Sequence, residues 1–241
     1  MARRTTIINT KLEIIQLAAD LFLTEGYSNT PVTKIANKLG ISLGNLTFHF
    51  PTKEHLLAEL IEFLCEYQHL VLEQEVEGGK TTLLAYLLEL TSMIAICEDN
   101  EIAKDLYISA YTHPISLGLM RKSDTMKAKM IFAEYQPNWS EEDFIAAENI
   151  VSGIEYASIC KENAKDVSLK KRITNMLQTV MKLYGVPADI QKREIAQIHN
   201  MDYQRIGHRF INGFVKYVEE KNKLALDEII EKEKQRSDDD A

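Results

Sequence analysis

The sequence predicts an all-α protein with an N-terminal helix-turn-helix head and a larger helical bundle as its body. Glycine and proline number only 10 and 5 among 241 residues, too few for the turns of a many-stranded sheet. Apolar residues recur at three- and four-residue spacing along most of the chain, as in amphipathic helices. We divide the chain into a head of residues 1–53, a body of residues 54–236 and an acidic tail of residues 237–241.

The first two helices are predicted from their apolar spacing and their end residues. The first covers Asn9–Glu25 and stops at Gly26, a residue type that often ends helices. Thr30 and Pro31 are interpreted as the N-cap and first-turn residue of the second helix, which stops at Gly40.

The third helix is very short and completes a helix-turn-helix. Ser42 caps it, and it must end before Pro51. Ile35, Ala36, Ile41 and Leu46 are expected to share a small core. This unit buries too little apolar surface to be stable alone, so the first helix is expected to pack on it.

Longer helices follow and form the body. Thr52 is the predicted cap of a fourth helix from Lys53 to about Glu77, which breaks at Gly78 and Gly79. The later helices are separated by proline, glycine or capping residues, and the last has an expected break near residues 200–202. They cover residues 81–98, 100–112, 115–135, 141–164, 167–184 and 188–235.

Several protein classes are disfavoured by composition. No stretch reaches the roughly 18 uncharged apolar residues of a membrane span, and no signal-peptide apolar block follows the start. Three cysteines, Cys65, Cys97 and Cys160, are far apart and lack metal-ligand spacing. We therefore expect a soluble cytoplasmic protein with ordinary thiols, no membrane association and no cofactor.

Charge is distributed unevenly between the head and the body. The whole chain carries a formal charge of −8, yet residues 1–53 hold six basic side chains against three acidic ones. A positive segment on a negative protein favours nucleic-acid binding at one end.

The third helix has Leu46 as its one evident inward anchor, which leaves its other side chains free to enter a DNA groove. Asn45 is suited to adenine, and Ser42 and Thr47 can donate hydrogen bonds to phosphate or base. Leu43 or Phe48 can contact a thymine methyl group. Basic side chains nearby are suited to phosphates, and these are Arg3, Arg4 and Lys53.

The motifs of the head resemble those of TetR-family transcriptional regulators. The resemblance covers about 50 residues and is carried by Ile15-x-x-Ala18-Ala19-x-Leu21-Phe22, Gly26-Tyr27, Leu39-Gly40-Ile41-Ser42 and His49-Phe50-Pro51-Thr52-Lys53-Glu54. It implies a homodimer that binds palindromic double-stranded operator DNA, most often as a repressor, and a body that senses a small molecule. The positions that it places against DNA are Thr33, Ser42, Leu43, Asn45, Thr47, His49 and Lys53.

Two positions depart from the family pattern. Thr47 stands where a tyrosine is usual, and Leu43 stands where a lysine or another polar residue is common. We therefore expect weaker nonspecific DNA binding, with Phe48 compensating through apolar contact. For His49, two roles stay open: packing of the third helix beside Tyr27, or contact with a phosphate.

The effector pocket is expected among aromatic and methionine side chains of the central helices. An alternative is that these residues simply fill the core. The pocket candidates are Tyr86, Met93, Tyr107, Tyr111, His113, Met120 and Tyr156, within a wider set that includes Met126, Met130, Tyr135 and Trp139.

Two regions are candidates for the dimer interface, because one head contacts only one half-site. The first is the helix pair 141–164 and 167–184, where Ile145 and Ile150 are apolar and Gly153 is small. The second is the C-terminal stripe that contains Phe210, Phe214, Tyr217, Val218, Leu224 and Ile229.

Catalysis is the least favoured function. Glu66 and His69 form a Glu-x-x-His pair, but a di-iron bundle needs a second copy and none exists in the chain. Phosphate-binding loops and nucleophile elbows are also missing from the sequence. Two alternatives stay open: a DNA-independent helical interaction protein with a degenerate helix-turn-helix, and a helical metalloenzyme.

Overall fold

The computed structural model describes residues 2–76, 82–160 and 166–239; side chains are described from Asn9 onward, except those of 229 and 232–239. The described residues form eleven helices and no strands. Their bounds are α1 Ala2–Thr24, α2 Val32–Leu39, α3 Leu43–His49, α4 Lys53–Glu75, α5 Leu83–Asp99, α6 Glu101–Thr112, α7 Pro114–Phe132, α8 Glu141–Ile159, α9 Leu169–Leu183, α10 Ala188–Asn200 and α11 Tyr203–Asp239. The all-α prediction is confirmed.

Helix α1 begins earlier than its apolar pattern indicated. Its backbone is helical from Ala2, seven residues before the predicted start at Asn9, so Arg3 and Arg4 belong to this helix. The side chains of these two arginines lie outside the described residues. The predicted stop is correct, since Gly26 takes φ +93°, a left-handed conformation that glycine adopts without strain.

The N-termini of α2 and α3 are capped differently. Ser42 accepts a hydrogen bond from the Asn45 backbone N–H at 3.1 Å, as expected for an N-cap. Thr30 does not cap α2: its hydroxyl donates to the Gly26 carbonyl at 2.8 Å, and Pro31 occupies the N-cap position. The Thr52 side chain likewise makes no capping bond to the α4 backbone.

One hydrophobic core joins the head to the body. Ile15 and Phe22 of α1, Leu46 of α3 and Leu57 of α4 belong to the same buried cluster as Tyr107 of α6. Helix α11 contributes to this cluster through Ile211, Phe214 and Val218. The boundary predicted at residue 53 therefore does not coincide with a gap in packing.

A second core fills the distal part of the body and is rich in stacked aromatic rings. Phe132 of α7 stacks on Tyr184 with ring centroids 4.0 Å apart, and Trp139 and Phe144 pack beside them. Helices α5, α8, α9 and α10 supply most of the remaining buried side chains. Among the described residues, no helix is long and apolar enough to cross a membrane.

The expected break near residues 200–202 is present, because α10 ends at Asn200 and α11 begins at Tyr203. Helix α11 continues through 237–239, the start of the segment assigned to an acidic tail; residues 240–241 lie outside the described chain, as do Gly78 and Gly79. Of the C-terminal stripe, Phe210, Phe214 and Val218 are internal core, whereas Leu224 is exposed.

Candidate DNA-binding interface and body cavity

Helix α3 is anchored by a single side chain. Leu46 is fully buried, and it is the only buried residue among the seven of this helix. Ser42, Leu43 and Asn45 are exposed, while Thr47 is half-buried and donates to the Gly44 carbonyl at 3.2 Å. On α2, Thr33 is exposed as well. The structure thus leaves Ser42, Leu43, Asn45 and Phe48 exposed around a helix that Leu46 anchors.

Two large apolar side chains of α3 face solvent. Phe48 is 70% exposed and Leu43 is 45% exposed. Exposure of large apolar side chains costs free energy in the unbound protein and often marks a binding surface. The Phe48 ring meets the His49 ring edge-on, with centroids 5.2 Å apart.

His49 is half-buried, and Tyr27 is not its aromatic neighbour. Burial lowers the pKa of the His49 imidazole, and the positive charge of Lys11 lowers it further. Both effects favour the neutral ring, which can still donate one hydrogen bond.

Lys53 is engaged within the protein. Its ammonium group donates to the Tyr27 carbonyl and lies 3.8 Å from the centroid of the Tyr27 ring. Burial lowers the pKa of Lys53, partly offset by the nearby charge of Asp105. This lysine therefore fixes the turn after α1, a role that the sequence pattern did not indicate.

Helix α6 of the body contacts the same turn. The Asp105 carboxylate accepts hydrogen bonds from the backbone N–H of Ser28, at 2.8 Å, and from the Ser28 hydroxyl. His113 lies at the end of α6, with its ring 5.5 Å from that of Tyr27 and its Nδ1 3.7 Å from Glu54. His113 is thus part of the head–body junction and does not face the body cavity.

Residues 14–60 match the family model described as bacterial regulatory proteins, tetR family. This segment is therefore similar to the head of TetR-family regulators. The matched segment begins in α1, contains all of α2 and α3, and ends in α4. The matched segment thus contains the helix-turn-helix and the residues on the head side of the junction, such as Ser28 and Lys53.

Curated relatives match over only part of the chain. The nucleoid occlusion factor SlmA of Vibrio cholerae is 32% identical over 94 residues, which are 39% of this chain and 48% of that protein. The transcriptional regulator QacR of Staphylococcus aureus is 39% identical over 54 residues, 22% of this chain and 29% of that protein. The matches span about half or less of these relatives' lengths.

Two solved structures of TetR regulators are similar to this chain at low sequence identity. CprB of S. coelicolor is 20% identical, covering 86% of this chain and 98% of its own, with a TM-score of 0.42. The TetR regulator tylp of Streptomyces fradiae is 18% identical, covering 82% of this chain and 93% of its own, with a TM-score of 0.46.

A cavity lies inside the body between α4, α5, α6, α7 and α8. Five of the predicted pocket residues line it: Tyr86, Met93, Tyr107, Tyr111 and Met120. Its free volume is about 30 Å³, room for little more than a water molecule. Tyr156, Met126 and Met130 are instead exposed, while Tyr135 and Trp139 pack against the distal core.

Charged side chains also line the cavity, and the sequence reading missed them. Lys127 lies 2.8 Å from both Glu89 and Asp124, and the Tyr111 hydroxyl donates to Glu155 at 2.7 Å. Burial raises the pKa of Glu155 well above its ordinary value, and Asp124 raises it further. Helical spacing could have indicated that Glu155 is buried, because it falls on the same helical face as the buried Phe144 and Val151.

Glu148 lies about two helical turns before Glu155 on α8, between the cavity and the distal core. It accepts hydrogen bonds from the hydroxyl groups of Tyr86 and Tyr184. Burial raises the pKa of Glu148 to about 7, with a further contribution from Asp124. The carboxyl is thus divided between its neutral and ionised forms near physiological pH.

The outer face of α8 is apolar and uncovered. Ile150 is 54% exposed and Ile145 is 47% exposed, and a side chain at Gly153 would meet open space. The apolar residues of α9, in contrast, point into the distal core, and its exposed face carries Lys170, Lys171 and Lys182. Of the two helices predicted to form a dimer interface, α8 has the more suitable surface.

Glu66 of the Glu-x-x-His pair has a structural role. Glu66 accepts a hydrogen bond from the Tyr217 hydroxyl at 2.9 Å and pairs with Lys221 at 2.7 Å. Within the described residues, no group of three potential metal ligands is found. Glu66 therefore ties α4 to α11.

Proposed function

We propose that this protein is a dimeric transcriptional repressor that reads a palindromic operator with α3 and responds to a small-molecule effector in its body. The observation that carries the proposal is the geometry of α3. Leu46 alone anchors this helix, while Asn45, Leu43 and Phe48 face solvent in a head of the TetR family. Such an arrangement leaves the base-reading side chains free to enter a major groove.

The exposed side chains of α3 supply both kinds of base contact. Asn45 offers the paired donor and acceptor that match an adenine edge. Leu43 and Phe48 offer apolar surface for thymine methyl groups. With Lys53 held by Tyr27, contacts to phosphate fall to other groups, such as the hydroxyls of Ser42 and Thr33.

The uncovered face of α8 supports dimerisation. Burying Ile145 and Ile150 against a second copy removes exposed apolar surface from water, which stabilises association. Two-fold symmetry then sets two copies of α3 at a fixed separation, which a palindromic operator requires.

The cavity supports effector binding only after the body expands. A drug-sized ligand needs roughly 300 Å³ or more, about ten times the free volume present. Helices α5, α6, α7 and α8 must therefore move apart to admit an effector. Because α6 contacts the head through Asp105 and Ser28, such a movement changes the position of the head.

Operator binding is the direct test. A fluorescent duplex from the DNA beside the coding region is titrated with the native chain and with Asn45→Ala, across a range of salt concentrations. Asn37→Ala is the matched control, because Asn37 is an exposed asparagine on α2. We expect saturable, salt-dependent binding that Asn45→Ala weakens about tenfold or more and that Asn37→Ala leaves unchanged.

The alternative outcome is also informative. If the native chain binds this duplex and others found by a genome-wide selection no better than random DNA, the repressor proposal fails. The DNA-independent interaction protein then becomes the better interpretation, with the exposed Phe48 and Leu43 as its contact surface.

A further inference from the structure

Helix α11 packs most extensively on α1 of the head and also contacts α4 and α5 of the body. The two helices α1 and α11 run antiparallel, because Leu12 lies opposite Asn222 and Gln16 lies opposite Val215. A C-terminal helix of the body thus lies directly on the first helix of the DNA-binding head.

Polar groups fix the position of α11 along α1. The Asn222 side-chain amide donates to the Leu12 carbonyl at 3.1 Å, and the Gln16 amide donates to the Val215 carbonyl at 3.4 Å. The amide oxygens of Gln16 and Asn222 are buried without a hydrogen-bond partner among the described residues. Such incompletely satisfied groups add little stability, but they favour one register over others.

Apolar packing stabilises the contact between α11 and α1. Phe214 and Val218 of α11 are fully or almost fully buried, in the same cluster as Ile14 and Ile15 of α1. A displacement of α11 therefore cannot occur without repacking the core of the head, because close-packed interiors deform little.

Ion pairs hold the other end of α11 on the body. Arg205 and Arg209 both pair with Glu75 near the end of α4, and Glu75 is largely buried. Further along, Tyr67 of α4 lies directly over Gly213. These contacts join α11 to the helix that leaves the head at residue 53.

Gly207 lets α11 approach α5 closely. A Cβ atom at this position would lie 2.6 Å from the Ser92 carbonyl oxygen and 3.0 Å from the Ile96 Cβ. The same helix α5 lines the cavity with Tyr86, Glu89 and Met93 on another face. One helix thus separates the cavity from α11.

We propose that α11 is a second connection between the effector cavity and the DNA-binding head, running from α5 to α1 beside the direct contact of α6 with the head. A continuous helix from Gly207 to Asn222 spans about 22 Å and transmits small displacements as a rigid body. This inference rests on the proposed function, since it assigns α11 a part in effector response.

The test displaces α11 at the end that packs on the body and measures amide hydrogen exchange in the head. Gly207→Ala places a methyl group against the Ser92 carbonyl, whereas Gly118→Ala on α7 meets open space and serves as the control. Amide hydrogen exchange is followed in both variants and in the native full-length chain, without DNA or effector. In Gly207→Ala we expect about tenfold faster exchange across Ile14–Phe22 of α1, with α7 unchanged.

Two results would overturn the proposal. In one, exchange accelerates in α5 and α11 of Gly207→Ala while α1 keeps its native protection. In the other, amide exchange accelerates equally in α1 and α7, which indicates general destabilisation and no directed connection.

A second variant is available if Gly207→Ala does not fold. Arg205→Ala combined with Arg209→Ala frees the body end of α11 at partly exposed positions and is judged by the same criteria. Because the measurement needs no DNA, its outcome is separate from that of the operator titration.

Discussion

Asp105 holds Ser28 through two hydrogen bonds, one from the backbone N–H and one from the hydroxyl. The carboxylate belongs to α6 of the body, and the serine belongs to the turn that leads from α1 into α2. A single body side chain therefore positions the entrance to the helix-turn-helix.

Replacing Asp105 with alanine removes both bonds. We expect a loss of about 1–2 kcal/mol in the free energy of unfolding, measured by urea denaturation. Asp20→Ala, at an exposed position of α1, is the control. A loss no larger than that of the control would show that the turn is held mainly by packing.

Lys53→Ala should destabilise the protein even without DNA. Its ammonium group donates to the Tyr27 carbonyl and lies over the Tyr27 ring, so its removal costs about 1–2 kcal/mol. Thermal unfolding of the free protein measures this, with Lys38→Ala as a more exposed comparison. If both variants unfold at the native temperature, the lysine has no structural role and a phosphate contact becomes the better explanation.

Within α3, Leu46 anchors the helix to the core and Phe48 is expected to contact DNA. Leu46→Ala removes a fully buried side chain and should cost about 2–5 kcal/mol of stability. Phe48→Ala, at a 70% exposed position, should leave stability within about 0.5 kcal/mol while weakening operator binding. Denaturation and duplex titration of both variants test the contrast. Unchanged operator affinity in Phe48→Ala would remove this ring from the reading surface.

Ile150→Glu tests the proposed dimer interface on α8. A charge placed in an apolar interface loses its water and opposes association, so we expect monomers in analytical ultracentrifugation. Val167→Glu changes a similarly exposed apolar residue just before α9 and should leave the dimer intact. A dimeric Ile150→Glu variant would move the interface away from this face.

Glu148 should make stability depend on pH. Its pKa is about 7 in the folded protein and near 4.5 when exposed, so the folded state retains a proton that the unfolded chain releases. The stabilisation from this group is complete below pH 4.5 and is lost as the pH rises through 7.

The variant Glu148→Gln keeps an uncharged acceptor for Tyr86 and Tyr184. Its stability relative to the native chain should therefore rise between pH 5 and pH 8, by up to about 3 kcal/mol. Denaturation at both pH values, with the exposed Glu142→Gln as control, measures the difference. If the difference in stability between Glu148→Gln and the native chain is the same at both pH values, the raised pKa of Glu148 is contradicted.

Local chemistry made much of the head predictable from the sequence. Ser42 and Gly40 act at short range, so their positions alone indicate the turn and the start of α3. Thr30 was misread because a threonine before proline resembles a cap, whereas its hydroxyl is used by the preceding turn. The early start of α1 was missed because residues 2–8 lack a clear apolar stripe.

Features that depend on distant contacts could not be predicted. Glu89, Asp124 and Lys127 come from two helices, and only the folded arrangement brings them together around the cavity. The position of α11 against α1 joins residues about 200 positions apart, and no periodicity in either helix specifies that partner. Five of the seven pocket candidates line the cavity because buried aromatic residues concentrate where many helices meet.

The single anchor of α3 has an evolutionary consequence. Since Leu46 alone holds this helix in the core, its neighbours can mutate without threatening the fold. In the proposed operator reader, base preference can therefore change one substitution at a time while the fold is kept, and the departures at Leu43 and Thr47 are substitutions of this kind.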